Sequence, residues 1–460
     1  MPLTNGRVAV IGAGIAGLAA AWELASATPL HVTVFESSER PGGRIGGTGF
    51  AGLDMIDSGA DAFLARVPDA TQLATEVGLA AELVSPEPVR AAVWYDALHP
   101  IPDGLLLGVP GHLAPLARTG LLSWRGKARA ALEPFLPRTS IEDDSIGQFV
   151  RARFGDEVQE RLVDALVGSI YATDTDRFSL REVPQLFDLA SSERSLLLAA
   201  RRRGGVGTGT AAAGPIFATP RGGVAQLVAA TADAIIGAGG VIRTSMAADR
   251  IEPRDGGWAI GDDRFDAVVI AAPARAAADI LAAASPATRD LLGRAETADV
   301  VMVTLHVPAG EWPERLHGLS GYLVPKPVQR AVTAASFGSQ KWAHWQPPDG
   351  GQVLRVSLGR DGTSPLDGSD DRLLDAVLDD LATHLGIRFT PLAQRITRWP
   401  GAFAQYRPHH QDWVDAIERS LPPGVHLAGS SYRGIGIPAC IRDGRMIARR
   451  ANAQVTSLRD

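Results

Sequence analysis

Apolar runs and glycine turns divide the chain into recognisable elements. Residues 8–11 (VAVI) form a short, wholly apolar run, the pattern of a strand buried on both faces. Three spaced glycines follow, and residues 18–24 read as a helix. HVTVF at 31–35 is a second strand, closed by Glu36. Residues 68–78 suggest a helix ended by glycine, and 95–110 read as hairpins and loops. From 124 to about 187 the pattern turns helical, with Ile146, Phe149, Val150, Phe154, Val158, Leu162 and Leu166 at helical spacing. Residues 191–214, with Arg201, Arg202 and Arg203 followed by a glycine-rich run, are expected to be a mobile surface loop. Pro220-Arg221-Gly222-Gly223 leads into a helix at 224–236. A strand is expected at 241–251 and a buried one at 267–274. Strand patterns at 300–307, 321–324 and 353–359 suggest a mixed sheet, and 371–386 an amphipathic helix. Residues 424–449 read as strand, glycine turn and helix.

The opening turn carries chemistry. Gly12, Gly14 and Gly17 have the spacing G-x-G-x-x-G between a strand and a helix. The first glycine permits the tight turn. The second lets backbone approach a pyrophosphate, and the third lets helix and strand pack closely. The helix start then faces the phosphates. Glu36 follows Gly17 by 19 residues, where an acid accepts hydrogen bonds from a ribose hydroxyl. Gly42-Gly43 adds a second permissive pair. A nicotinamide site has no need of it, whereas a longer dinucleotide with a deep flavin does. With Arg44 and then Asp57-Ser58-Gly59-Ala60-Asp61, the pattern resembles the FAD-containing amine oxidase and protoporphyrinogen oxidase superfamily.

That resemblance implies an α/β fold: a Rossmann-like FAD-binding domain assembled from three segments (1–85, 216–290 and 401–460). A substrate domain with a mixed sheet and a helical insertion (86–215 and 291–400) is threaded between them. The 460 residues leave room for two or three domains with a sizeable core. Apolar content of 45% and charged content of 21% are those of an ordinary globular chain. A formal charge of −6 gives no reason to expect nucleic-acid binding. The single cysteine, Cys440, excludes an internal disulfide and fits a reducing cytoplasm, the expected location. No apolar run is long enough to span a bilayer.

The closing stretch, residues 428–441 (AGSSYRGIGIPACI), ends a strand in a glycine turn. It starts a helix near Pro438, at a position proline favours. Such a helix start suits the electron-rich end of a reduced flavin. This stretch resembles the aerobic porphyrinogen oxidase family, meaning protoporphyrinogen oxidase and the coproporphyrinogen III oxidase of Gram-positive bacteria. IDSGADAF at 56–63, GSIYATDTDRFS at 168–179, Thr219 to Gly223, residues 269–273, and Trp399-Pro400 with Gln405-Tyr406 resemble it too. The chain departs from the family pattern at Thr173, Ala404 and Ala439. The first bears on pocket shape, the others on loops near the flavin.

By resemblance, FAD contacts fall on Gly12, Ala13, Gly14, Ile15, Ala16, Gly17, Glu36, Ser37, Gly43, Arg44, Gly59, Ala60, Asp61 and Ala62. Ala248 is implied at the adenine, and Trp399, Gly429, Ile435, Gly436 and Ile437 around the flavin ring. The implied reaction is six-electron oxidation of a porphyrinogen, with dioxygen reduced to hydrogen peroxide. Arg90, Thr173, Ser320, Gly321 and Leu323 are implied at the substrate, Arg90 as a propionate clamp. No metal spacing or catalytic acid–base set is seen, and the pair His409-His410 reads as structural. Coproporphyrinogen III is the favoured substrate and protoporphyrinogen the alternative. An amine oxidase, a desaturase or a flavin carrier is more remote. Oligomerisation and contact with the next haem-pathway enzyme stay open.

Overall fold

The computed structural model describes residues 6–139, 144–202 and 215–457. A parallel sheet orders its strands Val241–Arg243, His31–Phe35, Arg7–Ile11, Ala267–Ile270 and Val425–Leu427. The central strand is flanked on both sides and covered on both faces, which is why it is apolar and buried from Val8 to Ile11. Val8 and Val10 face the helices Ile15–Ala27, Val224–Gly237 and Ile437–Ser457. Ala9 and Ile11 face a second core that includes Phe265, Val414 and Ile417.

A seven-stranded sheet runs in the order Ala393–Ala404, Thr297–Val307, Gln352–Leu358, Val332–Phe337, Leu319–Leu323, Arg90–Trp94 and Leu98–Pro100. Its two faces differ in chemistry because side chains alternate along each strand. Val301, Val303, Leu354 and Val356 pack under the helix Asp370–Leu385 through Leu373, Val377 and Leu381. Their neighbours Val300, Met302, Arg355 and Ser357 line a cavity instead. The helical insertion closes that cavity from another side. A π-helical stretch, Gln159–Gly168, and the helical turn Ser169–Tyr171 after it bring Gly168 and Ser169 to the wall.

Several elements differ from the sequence expectation, three of them near the site or its boundaries. The strand expected at 241–251 stops at Arg243. Ser245 has φ +52°, and the amide of Met246 turns back to the Glu36 carbonyl. The expected loop at 191–214 contains a helix, Leu196–Arg202, with Leu196, Leu197, Ala199 and Ala200 buried. The buried Glu133 carboxylate holds its start through Ser195 Oγ and the Leu196 amide. Arg202 is exposed and pairs with Glu193, while residues 203–214, including Arg203, lie outside the described residues. The twelve-residue strand Ala393–Ala404 was not foreseen and crosses the boundary expected at 400. It is an edge strand, the place where a sheet tolerates Pro400.

Candidate functional site

Both sheets meet at one cavity of about 630 Å³, within the usual range for cofactor and small-molecule sites. Its nucleotide end is built by the opening turn. Gly12 has φ +101°, a conformation that side chains other than glycine's rarely adopt. A Cβ on Gly17 would lie 1.9 Å from the Gly12 carbonyl oxygen, so this glycine is fixed by packing. A Cβ on Gly14 would meet nothing within 4 Å, and the open space beside it belongs to the cavity. Ile15 and Ala16 line the same wall.

The Glu36 carboxylate is 8% exposed and sits at this end. Its Oε2 accepts from the Ala13 amide at 2.8 Å, and its Oε1 from the Ser38 amide and hydroxyl. Oε2 therefore keeps room for a further donor. Ser37, Gly43 and Arg44 line the wall beside it. Arg44 Nη1 donates to Ser430 Oγ at 3.3 Å and Nη2 to the Gly401 carbonyl at 2.5 Å. Among the described residues it makes no ion pair, and burial pulls its pKa below the usual arginine value. A half-buried cation without a counter-charge is costly unless an anion completes it.

Gly59, Ala60, Asp61, Trp399, Gly429, Ile435 and Ile437 also line the cavity. Trp399 Nε1 donates to the Ser58 carbonyl at 3.0 Å, which ties the edge strand to the Gly59 segment. Tyr406 holds the closing turn, its hydroxyl donating to the Ser430 carbonyl and accepting from the Gly434 amide. Cys440 lines the wall with its thiol pushed up to about 12, by burial and then by nearby Asp443, so it is unreactive at neutral pH. Ala62, Ala248 and Gly436 do not line the cavity. Ala248 is buried in the core beneath the parallel sheet.

The substrate-side expectations fare differently. Arg90 is exposed at the outer end of its strand, and its side chain is not part of the wall. Ser320, Gly321 and Leu323 belong to the strand Leu319–Leu323, and its next residue, Val324, reaches the cavity in their place. Gly321 is fixed by strand pairing, since a Cβ there would lie 2.1 Å from the Ala335 oxygen. Thr173 is buried, and its carbonyl accepts from Arg360. His410 stacks on Tyr406 at 3.8 Å and bonds the Tyr432 carbonyl, a packing role. No group of residues that could hold a metal ion occurs among those described.

Sequence reasoning missed the charged residues of the substrate side. Arg360 lines the wall but is matched by Asp164 at 2.8 Å. Lys341 and Arg355 line it beside Asp61. Arg355 and Ser357 are polar positions alternating within the apolar run QVLRVSL, a signal that was readable.

The profile of the flavin containing amine oxidoreductase family matches residues 15–452. The chain belongs to this family. It is 34% identical over 459 residues to the coproporphyrinogen III oxidase of Bacillus subtilis (strain 168), covering 95% of this chain and 96% of that one. It is 31% identical over 456 residues to the coproporphyrinogen III oxidase of Mycobacterium tuberculosis (strain H37Rv), with 95% and 96% covered. Among solved structures, a protein of Exiguobacterium sp. 255-15, provisionally named a protoporphyrinogen oxidase, superposes with a TM-score of 0.87. It is 27% identical, with 98% of this chain and 100% of that chain covered. The cofactor of this flavoprotein is FAD. The cavity fits it: open space beside Gly14, an acid with a spare acceptor at one end, and Arg44, which has no counter-ion among the described residues and bonds Ser430 of the closing turn. Among the described residues, no helix is long and apolar enough to cross a membrane.

Proposed function

We propose that this chain oxidises coproporphyrinogen III to coproporphyrin III in haem biosynthesis, a six-electron change with dioxygen as the acceptor and hydrogen peroxide released. The observation that carries the reading is the likeness to coproporphyrinogen III oxidases over 95% of the chain. The geometry supports it with a cavity that joins a nucleotide-binding turn to the face of a mixed sheet.

Bound in this cavity, FAD would supply the redox chemistry, as hydride acceptor from the substrate and electron donor to dioxygen. The protein's part is to bind, orient and enclose. Glu36 suits a ribose hydroxyl and Arg44 a phosphate, on the strength of their unused acceptor and unmatched charge. The substrate side offers Val300, Met302, Val324 and Ala334, a wall suited to a flat, mostly apolar macrocycle. A protein acid or base is not assigned.

Protoporphyrinogen is the second reading, favoured by the name of the Exiguobacterium neighbour. Turnover of the two porphyrinogens by the purified FAD-loaded protein, followed as peroxide release, separates them. Peroxide from coproporphyrinogen III supports the first reading. Peroxide from protoporphyrinogen alone would replace it with the second.

A further inference from the structure

We propose that Lys341 and Arg355 form a carboxylate-binding subsite that receives one propionate of the porphyrinogen. The proposal rests on the reading above and adds where the substrate's charge is met.

Lys341 ends the short helix Gly338–Lys341, and Arg355 projects from the strand Gln352–Leu358. Both line the cavity. The Lys341 side chain is 21% exposed and the Arg355 side chain 4%, so the pair runs from a partly open position inward. They converge on one oxygen. Asp61 Oδ2 lies 3.0 Å from Lys341 Nζ, 3.6 Å from Arg355 Nη1 and 3.2 Å from Trp342 Nε1. Two cations thus share one carboxylate.

The groups packed around them leave a positive excess. Asp57 is buried and bonded to the Val224 amide. Arg395 faces it, bonding Thr48 Oγ1 and the Ile56 carbonyl, with no carboxylate partner among the described residues. His344 is half-buried, with Arg221 near enough to disfavour its charged form further. With both Asp57 and Asp61 ionised and His344 neutral, Lys341, Arg355 and Arg395 still outnumber them. Arg355 Nη2 donates to the Gly59 carbonyl, which holds the guanidinium at the wall.

The other cationic candidates do not compete. Arg360 is neutralised by Asp164 on two nitrogens, and Arg90 stands outside the wall. A ring carrying four propionates that enters an enclosed site must bring at least one carboxylate against the wall. Leaving it unpaired there is expensive. Lys341 and Arg355, two cations that share the single Asp61 carboxylate, offer the positive charge that it needs.

The test uses the FAD-loaded protein and product binding, read from the porphyrin absorption band, with coproporphyrin III and its tetramethyl ester compared in the same detergent. Lys341→Gln keeps a donor to Asp61 and removes the charge, and Lys341→Arg keeps the charge. The expected result is that K341Q weakens coproporphyrin III binding by about tenfold, leaves the ester unchanged, and that K341R restores binding. Flavin content and melting temperature, measured alongside, stay at the wild-type level if the residue acts on substrate alone. Equal effects on acid and ester, or no effect on either, would overturn the subsite. Wild-type turnover of coproporphyrinogen III is measured in the same series. Its absence would remove the functional reading, whereas normal turnover with unaltered K341Q binding removes the subsite alone.

Discussion

The amide of Ala13 donates to Glu36 Oε2 at 2.8 Å, so the glycine turn and the acid that closes the second strand are one bonded unit. Glu36 therefore holds the turn in shape as well as facing the cavity. Replacing it by alanine removes charge-assisted bonds worth about 1.5–3 kcal/mol each. FAD affinity of E36A is expected to fall by roughly tenfold to a hundredfold. Equilibrium dialysis followed by flavin fluorescence measures this directly.

Arg44 gives a second expectation at the same cavity. Its neighbours are neutral oxygens, Ser430 Oγ and the Gly401 carbonyl, and no carboxylate balances it among the described residues. Arg44→Met should relieve a half-buried charge in the free protein yet weaken FAD binding. The cofactor-free variant is expected to melt no lower than the cofactor-free wild type, while added FAD raises its melting temperature less.

The closing helix meets the opening helix at Gly444. A Cβ there would lie 2.1 Å from the Ala16 carbonyl oxygen, which is backbone and cannot swing aside. Gly444→Val is expected to destabilise the fold by about 1–3 kcal/mol or more, as overpacking does. Because Ala16 also lines the cavity, flavin retention should fall with it. Thermal melting with and without FAD reads both effects.

These positions show what the sequence disclosed. The opening strand, turn and acid were legible because each carries a local signature: an apolar run, glycine spacing and an acid at a fixed interval. The helix Asp370–Leu385 was legible from its period, and it begins at a Ser369 cap. Gly444 was not, because its reason is a helix 428 residues earlier in the chain, at Ala16. The strand Ala393–Ala404 was hidden by its own composition, AQRITRWPGAFA, polar and broken by proline as an edge strand can be. Lys341 and Arg355 come together with Asp61 only when the seven-stranded sheet closes on the Gly59 segment. No local pattern announces such a meeting.

His384 sets an acid limit to stability. Burial pulls its pKa from 6.5 down to about 4, while Tyr322 Oη bonds its Nδ1 and Trp94 packs against its ring. The folded value lies below the unfolded one, so the unfolded chain takes up the proton first. The contribution is complete above pH 6.5 and is lost as pH falls towards 4, on the order of 3 kcal/mol in all. Melting temperature should decline across that window. The decline should be shallower in His384→Gln, whose amide does not titrate.

The central claim is that one cavity holds FAD at the opening and closing glycine turns and presents it to a porphyrinogen. Its most direct measurement is the visible spectrum of the purified protein, recorded anaerobically before and after coproporphyrinogen III is added. The expected result is a yellow protein whose flavin band bleaches as porphyrin absorption grows, and which recovers its colour with peroxide release when air is admitted. A protein that binds FAD but keeps an unchanged flavin band with this substrate would contradict the claim.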